Sequence, residues 1–136
     1  MGQGRTKKYN DGRVPPFRRP ITEIVSSDPS IATTITAAGG ITITNRLMRI
    51  TGGSAPVTIT ATPNISAKFT VDGYELLLEG QDDTNTVELQ DAAQLAGSGL
   101  HLQDTLNKVL GKGDFLRLIY NATDACWYQS SPMSNN

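Results

Sequence analysis

From about residue 31 onward, apolar and polar residues alternate along the chain with a period of two. The runs beginning Ile31-Ala32-Thr33-Thr34-Ile35-Thr36, Ile41-Thr42-Ile43-Thr44 and Val57-Thr58-Ile59-Thr60 put Ile or Val on one face and Thr on the other. β-Branched side chains are stiff at χ1 and pack well on a pleated surface, so this text predicts strands. Gly39-Gly40 and Gly52-Gly53-Ser54 punctuate it as turns. Further strands are predicted at Lys68–Val71, Tyr74–Glu79, Thr86–Gln90, Phe115–Tyr120 and Cys126–Gln129. Asp72-Gly73, between two of these, is a type I′ hairpin signal. Asp82-Asp83-Thr84-Asn85 and Gly111-Lys112-Gly113-Asp114 supply two more turns. Asp104–Leu110 fits two patterns. Leu106, Val109 and Leu110 have helical spacing with Asp104 as a cap, yet the same residues also alternate as a strand. The ITIT and VTIT runs, with Asn45 and Asn64 following, hint at a repeat, but a meander of short strands explains them better. The expected fold is all-β: a short-stranded antiparallel β-sandwich or barrel-like body with an extended N-terminal arm.

Residues 1–20 break this pattern. They contain three Pro and three Gly and show no hydrophobic period, and Pro15-Pro16 holds the backbone extended. Six basic residues stand there against Asp11 alone, a charge of +5, whereas the remainder carries −6, which accounts for the net −1. Residues 1–30 are therefore read as an extended basic arm with its linker, and 31–136 as a β-rich oligomerisation body. The arm's basic residues are Arg5, Lys7, Lys8, Arg13, Arg18 and Arg19, with Tyr9, Val14 and Phe17 as apolar anchors. Three readings remain open for it: contact with nucleic-acid phosphates and bases, a grip on an acidic protein surface, or a solvated tail. The protein-surface reading is preferred, because prolines preorganise an arm and lower its ordering cost on binding. Only 38% of the 136 residues are hydrophobic, and a thin core is often completed by oligomerisation.

Candidate chemistry is sparse. The lone His101 lies between Leu100 and Leu102 and reads as a solvated strand residue; no second ligand gives it a zinc spacing. Cys126 beside Trp127 reads as a small buried hydrophobe, and a nucleophilic role would require His101 to fold beside it. Asp82, Asp83 and Asn85 concentrate oxygen atoms that suit Ca²⁺, but without EF-hand spacing the turn reads as Asx-type. Gly111-Lys112-Gly113 lacks the spacing of a phosphate loop. Glu75, Glu79 and Glu88 are the carboxylates that a glycosidase pair would draw on, and their alternation fits a wet strand face instead. Asn64-Ile65-Ser66 and Asn121-Ala122-Thr123 match the glycosylation sequon. A single cysteine implies no oxidising compartment, and no apolar run reaches the roughly 18 residues of a membrane span. No signal peptide, catalytic residue, metal or cofactor is expected, and neither a membrane nor nucleic acid is the expected partner.

From Asp72 to Ser131 the chain carries a recognisable succession of elements. Gly73-Tyr74-Glu75-Leu76-Leu77-Leu78-Glu79-Gly80 is a glycine followed by an apolar strand, and Asp82 to Asp91 is a turn and a second strand. A glycine-containing stretch, Gly111-Lys112-Gly113-Asp114, a strand ending in Tyr120 and the pair Trp127-Tyr128 complete it. This succession resembles a module of tailed-phage structural proteins, which include capsid decoration proteins, head fibres and tail fibres. The resemblance departs at Asp124-Ala125-Cys126 and around Asp104–Leu110. It implies a homotrimeric β-structure with no catalytic residues. Leu76, Leu78, Val87, Leu89, Leu116, Leu118, Tyr120 and Trp127 are the expected core and oligomer residues. Trp127 and Tyr128 are expected on opposite faces of the last strand.

Short length, a basic arm and an acidic body favour a decoration (cement) protein. Such a protein would sit on the capsid exterior and bind the major capsid protein lattice. A head fibre or tail-tip attachment protein that binds the host surface is the alternative, and a nucleic-acid-binding virion protein the next.

Overall fold

The computed structural model describes residues 31–66 and 71–135. Among the described residues nine short strands form two sheets: β1 (Thr33–Thr34), β2 (Leu47–Thr51), β3 (Val57–Thr58), β4 (Glu75–Gly80), β5 (Val87–Leu89), β6 (Leu100–His101), β7 (Lys108–Leu110), β8 (Phe115–Asn121) and β9 (Cys126–Gln129). The first sheet has the order β1-β2-β4-β8-β9-β6, and the second β3-β5-β7. The protein is therefore all-β, as the alternation predicts.

Its sheets are mixed, however, not antiparallel. Pairs β1–β2, β2–β4, β3–β5 and β6–β9 are parallel, while β4–β8, β8–β9 and β5–β7 are antiparallel. The cause is the path of the chain. After β2 it crosses to the second sheet as β3, returns to the first as β4, and crosses again as β5. Each strand therefore comes back beside its predecessor running the same way, with the opposite sheet serving as the crossover that parallel pairing requires. Leu47 pairs with Leu77 and Val57 with Val87, so the offset is thirty residues in both sheets. The Val57 and Ile59 amides donate to the Thr86 and Glu88 carbonyls at 2.8 and 2.9 Å, extending the second ladder. Two turns of a coil are stacked here. The ITIT and VTIT runs do not pair with each other: Ile41 bridges Ile65.

Alternation decides which side chains enter the core. In β4, Leu76 and Leu78 point inward and are fully buried, while Glu75, Leu77 and Glu79 are half-buried on the outer face. β2 contributes Met48 and Ile50, β5 Val87 and Leu89, and β8 Leu116, Leu118 and Tyr120. Trp127 of β9 closes one end, with Tyr74 edge-on to it at 6.2 Å and Tyr120 tilted against it at 5.0 Å. All eight core and oligomer residues named from the sequence are buried within one chain, so none of them offers a surface to a second copy. Each buried Leu or Val contributes about 1.5–3 kcal/mol through the water it no longer contacts.

Two buried polar side chains hold the irregular corners. Asn64 donates from Nδ2 to the Ala61 carbonyl (2.7 Å) and accepts the Gln90 amide on Oδ1 (2.9 Å). Its own backbone amide donates to the Ser98 carbonyl, and its carbonyl accepts the Ile41 amide. One residue thus ties four separate segments, and its burial also removes it as a glycosylation acceptor in the folded chain. Asp91 accepts the Leu102 amide at 2.6 Å and the Ala93 amide at 2.7 Å, fixing the approach to β6.

Other local expectations change. Asp104–Leu110 is a 3₁₀ turn, Gln103–Thr105, leading into β7, because Asp104 and Thr105 take left-handed φ values of 62° and 54° that break a helix. Asp72-Gly73 is not type I′: only Gly73 is left-handed, as in a type II turn. The predicted strand Lys68–Val71 lies outside the described residues except for Val71, and the arm of residues 1–30 lies wholly outside them.

Gly80 ends β4 at an inward position, where a Cβ would run into the Gly111 carbonyl oxygen. Gly80→Ala should therefore destabilise the protein by about 2–3 kcal/mol in denaturant melts, since the obstacle is backbone. Asn64→Ala should cost about 1–3 kcal/mol, by leaving the part-buried Gln90 amide and Ala61 carbonyl without their side-chain partner. Wild-type stability in either variant contradicts the corresponding contact.

Candidate functional site

The outer face of the six-stranded sheet carries rows of side chains set by strand register. One row runs His101–Tyr128–Ile119–Glu75, across β6, β9, β8 and β4. The next includes Arg117, Leu77 and Leu47, and a third Phe115, Glu79 and Arg49. Cross-strand neighbours of this kind lie within contact distance on one face. Arg49 Nε donates to Glu79 at 2.7 Å and Arg117 to Glu75 at 2.5 Å. Glu88, on the other sheet, accepts the Thr58 hydroxyl at 2.8 Å. Each of the three carboxylates named as glycosidase candidates therefore has a partner of its own, and Glu75 and Glu79 are separated by about 13 Å of extended strand.

The first row is the most organised. Tyr128 is 37% exposed and donates its hydroxyl to Asp124 at 2.7 Å. His101 stacks on its ring with a centroid distance of 4.7 Å and an interplanar angle of 16°. Ring stacking on one side and a charge-assisted hydrogen bond at the tip fix the phenol in place. Beside Tyr128 lies a depression of about 420 Å³ lined by Asp72, Gly73, Ile119, Tyr120, Asn121, Tyr128 and Ser130. Asp72 receives the Ala122 amide on Oδ1, and the Asn121 side-chain oxygen receives the Asp124 amide.

The chemistry flagged in the sequence resolves individually. His101 is exposed, as expected of a solvated strand residue, but its stacking on Tyr128 was not legible because it requires the parallel β6–β9 pairing. Cys126 is half-buried, and burial followed by the nearby Asp124 charge pushes its thiol pKa up, opposite to what a nucleophile needs. Asp82 forms an Asx turn, accepting the Thr84 and Asn85 amides at 2.7 and 3.1 Å and the Asn85 side chain at 3.1 Å. Asp83 reaches instead to the Lys112 amide at 2.7 Å, joining this turn to the one at Gly111–Asp114. Among the described residues, no group of three or more His, Cys, Asp or Glu is placed to hold a metal ion. The nine arm residues, from Arg5 to Arg19, lie outside the described residues.

Large apolar side chains are exposed to solvent elsewhere. Leu106, two residues before β7, is 56% exposed and Val109 within β7 is 45% exposed; among the described residues β7 is an edge strand of the three-stranded sheet. Edge strands carry unpaired backbone groups and are natural places for a second chain to pair.

The hydrogen bond to Asp124 raises the pKa of Tyr128 above the ordinary tyrosine value, assisted by burial and by the charge of Asp124. A raised folded-state pKa means that this bond stabilises the fold below about pH 10 and is lost as pH rises beyond it. Ultraviolet titration of tyrosinate should show one late-ionising exposed tyrosine that reverts to an ordinary pKa in Asp124→Asn. An unchanged titration in that variant contradicts the bond.

Comparison with family models, with curated proteins and with solved structures finds no match.

Proposed function

We propose that this chain is a structural protein of a virus particle: a decoration (cement) protein that trimerises through its β-body and grips the capsid exterior through its basic arm. The observation that carries this reading is the separation of charge, +5 on residues 1–20 against −6 on the rest. A basic arm complements an acidic partner surface, and complementary charge speeds and orients such docking. The β-body supports the reading in a second way. Its core is closed within one chain, so the outer faces are free to make contacts between copies.

Leu106 and Val109 are the surface where those copies would meet, because a closed symmetric assembly needs an exposed, self-complementary or ring-forming patch. The resemblance of Asp72–Ser131 to tailed-phage virion modules supports the choice of a virion over another assembly. No catalytic activity, cofactor or membrane enters this reading.

Co-sedimentation with mature capsids tests it. The full chain should bind saturably, and deletion of residues 1–20 should abolish binding while leaving a trimer in sedimentation velocity. Leu106→Ser with Val109→Ser should shift that trimer towards monomer. A stable wild-type monomer at micromolar concentration, or undiminished capsid binding by the truncated chain, would overturn the proposal.

A further inference from the structure

We infer that the depression beside Tyr128 is a binding site for a neutral pyranose sugar. The inference is independent of the capsid reading and rests on the outer face of β8 and β9.

The site has two kinds of wall. Its apolar part is Ile119 and the ring of Tyr128, each 37% exposed although both are large hydrophobic groups on a folded surface. His101 stacks on Tyr128 from the β6 side and does not line the depression, whereas Ile119, its neighbour on the β8 side, does, which leaves the ring face turned from His101 on the side of the depression. That face is held rigid by the His101 stack and by the hydroxyl bond to Asp124, so a ligand meets it without ordering a mobile side chain. The polar part is Asp72, Asn121 and Ser130 at the rim. The Ala122 amide occupies only Oδ1 of Asp72, and the Asp124 amide occupies only the oxygen of Asn121. A carboxylate oxygen and an amide NH₂ group remain to face a ligand: one acceptor and two donor hydrogens.

An aromatic face flanked by a separate acceptor and donor matches the two sides of a pyranose. The ring's C–H face lies on the phenol, and adjacent hydroxyls, each both donor and acceptor, bridge Asp72 and Asn121. The volume, about 420 Å³, falls within the range of small-ligand sites and accommodates one or two sugar rings. A cationic side chain would use the carboxylate and the aromatic face but would leave the amide donors of Asn121 opposed to its charge. The mixed rim therefore favours the neutral sugar.

The test uses the full-length ¹⁵N-labelled chain titrated with lactose, maltotriose, chitobiose and methyl α-mannoside at millimolar concentration. N-acetyl-arginine amide serves as the cationic comparison. At least one sugar should shift the amide signals of Asn121, Tyr128 and Ser130. Tyr128→Ala should weaken that binding about tenfold or more, and Tyr128→Phe should keep it within about threefold. Asp72→Asn and Asn121→Asp keep the oxygen that receives the Ala122 or Asp124 amide and change only the group offered to the ligand, so they report on the site even if Tyr128→Ala is poorly folded; each should weaken binding several-fold. Capsid binding should be unaffected by all four. No shift with any of the four sugars, shifts unchanged by the rim variants, or preferential binding of the arginine derivative would each overturn the inference.

Discussion

The fold depends on parallel stacking at a fixed offset. β2 lies on β4 and β3 on β5 with the same thirty-residue register, so every backbone bond in one ladder constrains the other. A slip of one residue in either sheet would turn Leu76, Leu78, Val87 and Leu89 outward together, because side chains alternate with a period of two. The corners must therefore be as well defined as the strands. Asn64 and Asp91 achieve this with buried hydrogen bonds, and Gly80 with the absence of a side chain where two backbones meet. Buried polar groups of this kind are costly unless satisfied, and the bonds they make are what define the path of the chain between sheets.

That register also sorts the surface. With the core filled by one face of each strand, the opposite face of the six-stranded sheet is left to carry ordered rows of side chains. Arg49–Glu79 and Thr58–Glu88 link the two turns of the coil from outside, each across the same offset. Such partly exposed pairs contribute at most about 1 kcal/mol each, so they trim the register and do not create it. The stacked pair His101–Tyr128 stands at the other margin of the sheet, where β6 returns parallel to β9. The ordered side-chain rows among the described residues are thus a consequence of register on the outer face.

Much of the inward pattern was legible in the sequence. The limits of β9 match the predicted strand, and Trp127 and Tyr128 fall on opposite faces because adjacent strand residues must. Leu116, Leu118 and Tyr120 are buried for the same reason. Pairing direction was not legible, since alternation states which face a residue takes but not which neighbour it meets. β2 was missed altogether: in Leu47-Met48-Arg49-Ile50-Thr51 the apolar Leu47 takes an outer position beside inward Met48, which interrupts the apolar–polar alternation. The thirty-residue repeat was hidden because, among the paired positions, only Leu47/Leu77 and Val57/Val87 are identical. Arg49 meets Glu79, and Thr58 meets Glu88, so the sequence shows no self-similarity there. The aromatic stack was hidden behind the same ignorance of pairing, and the helix–strand ambiguity at Asp104–Leu110 was settled by two left-handed residues that composition does not announce.

The central claim is that two turns of the chain coil in parallel, and couplings across individual hydrogen bonds measure it most directly. In a ¹⁵N,¹³C-labelled sample, trans-hydrogen-bond couplings should connect the Val57 amide to the Thr86 carbonyl and the Ile59 amide to the Glu88 carbonyl. The account predicts both couplings, together with one from the Leu77 amide to the Arg46 carbonyl in the first sheet. Couplings linking residues 47–51 to 57–60 as an antiparallel hairpin would contradict it.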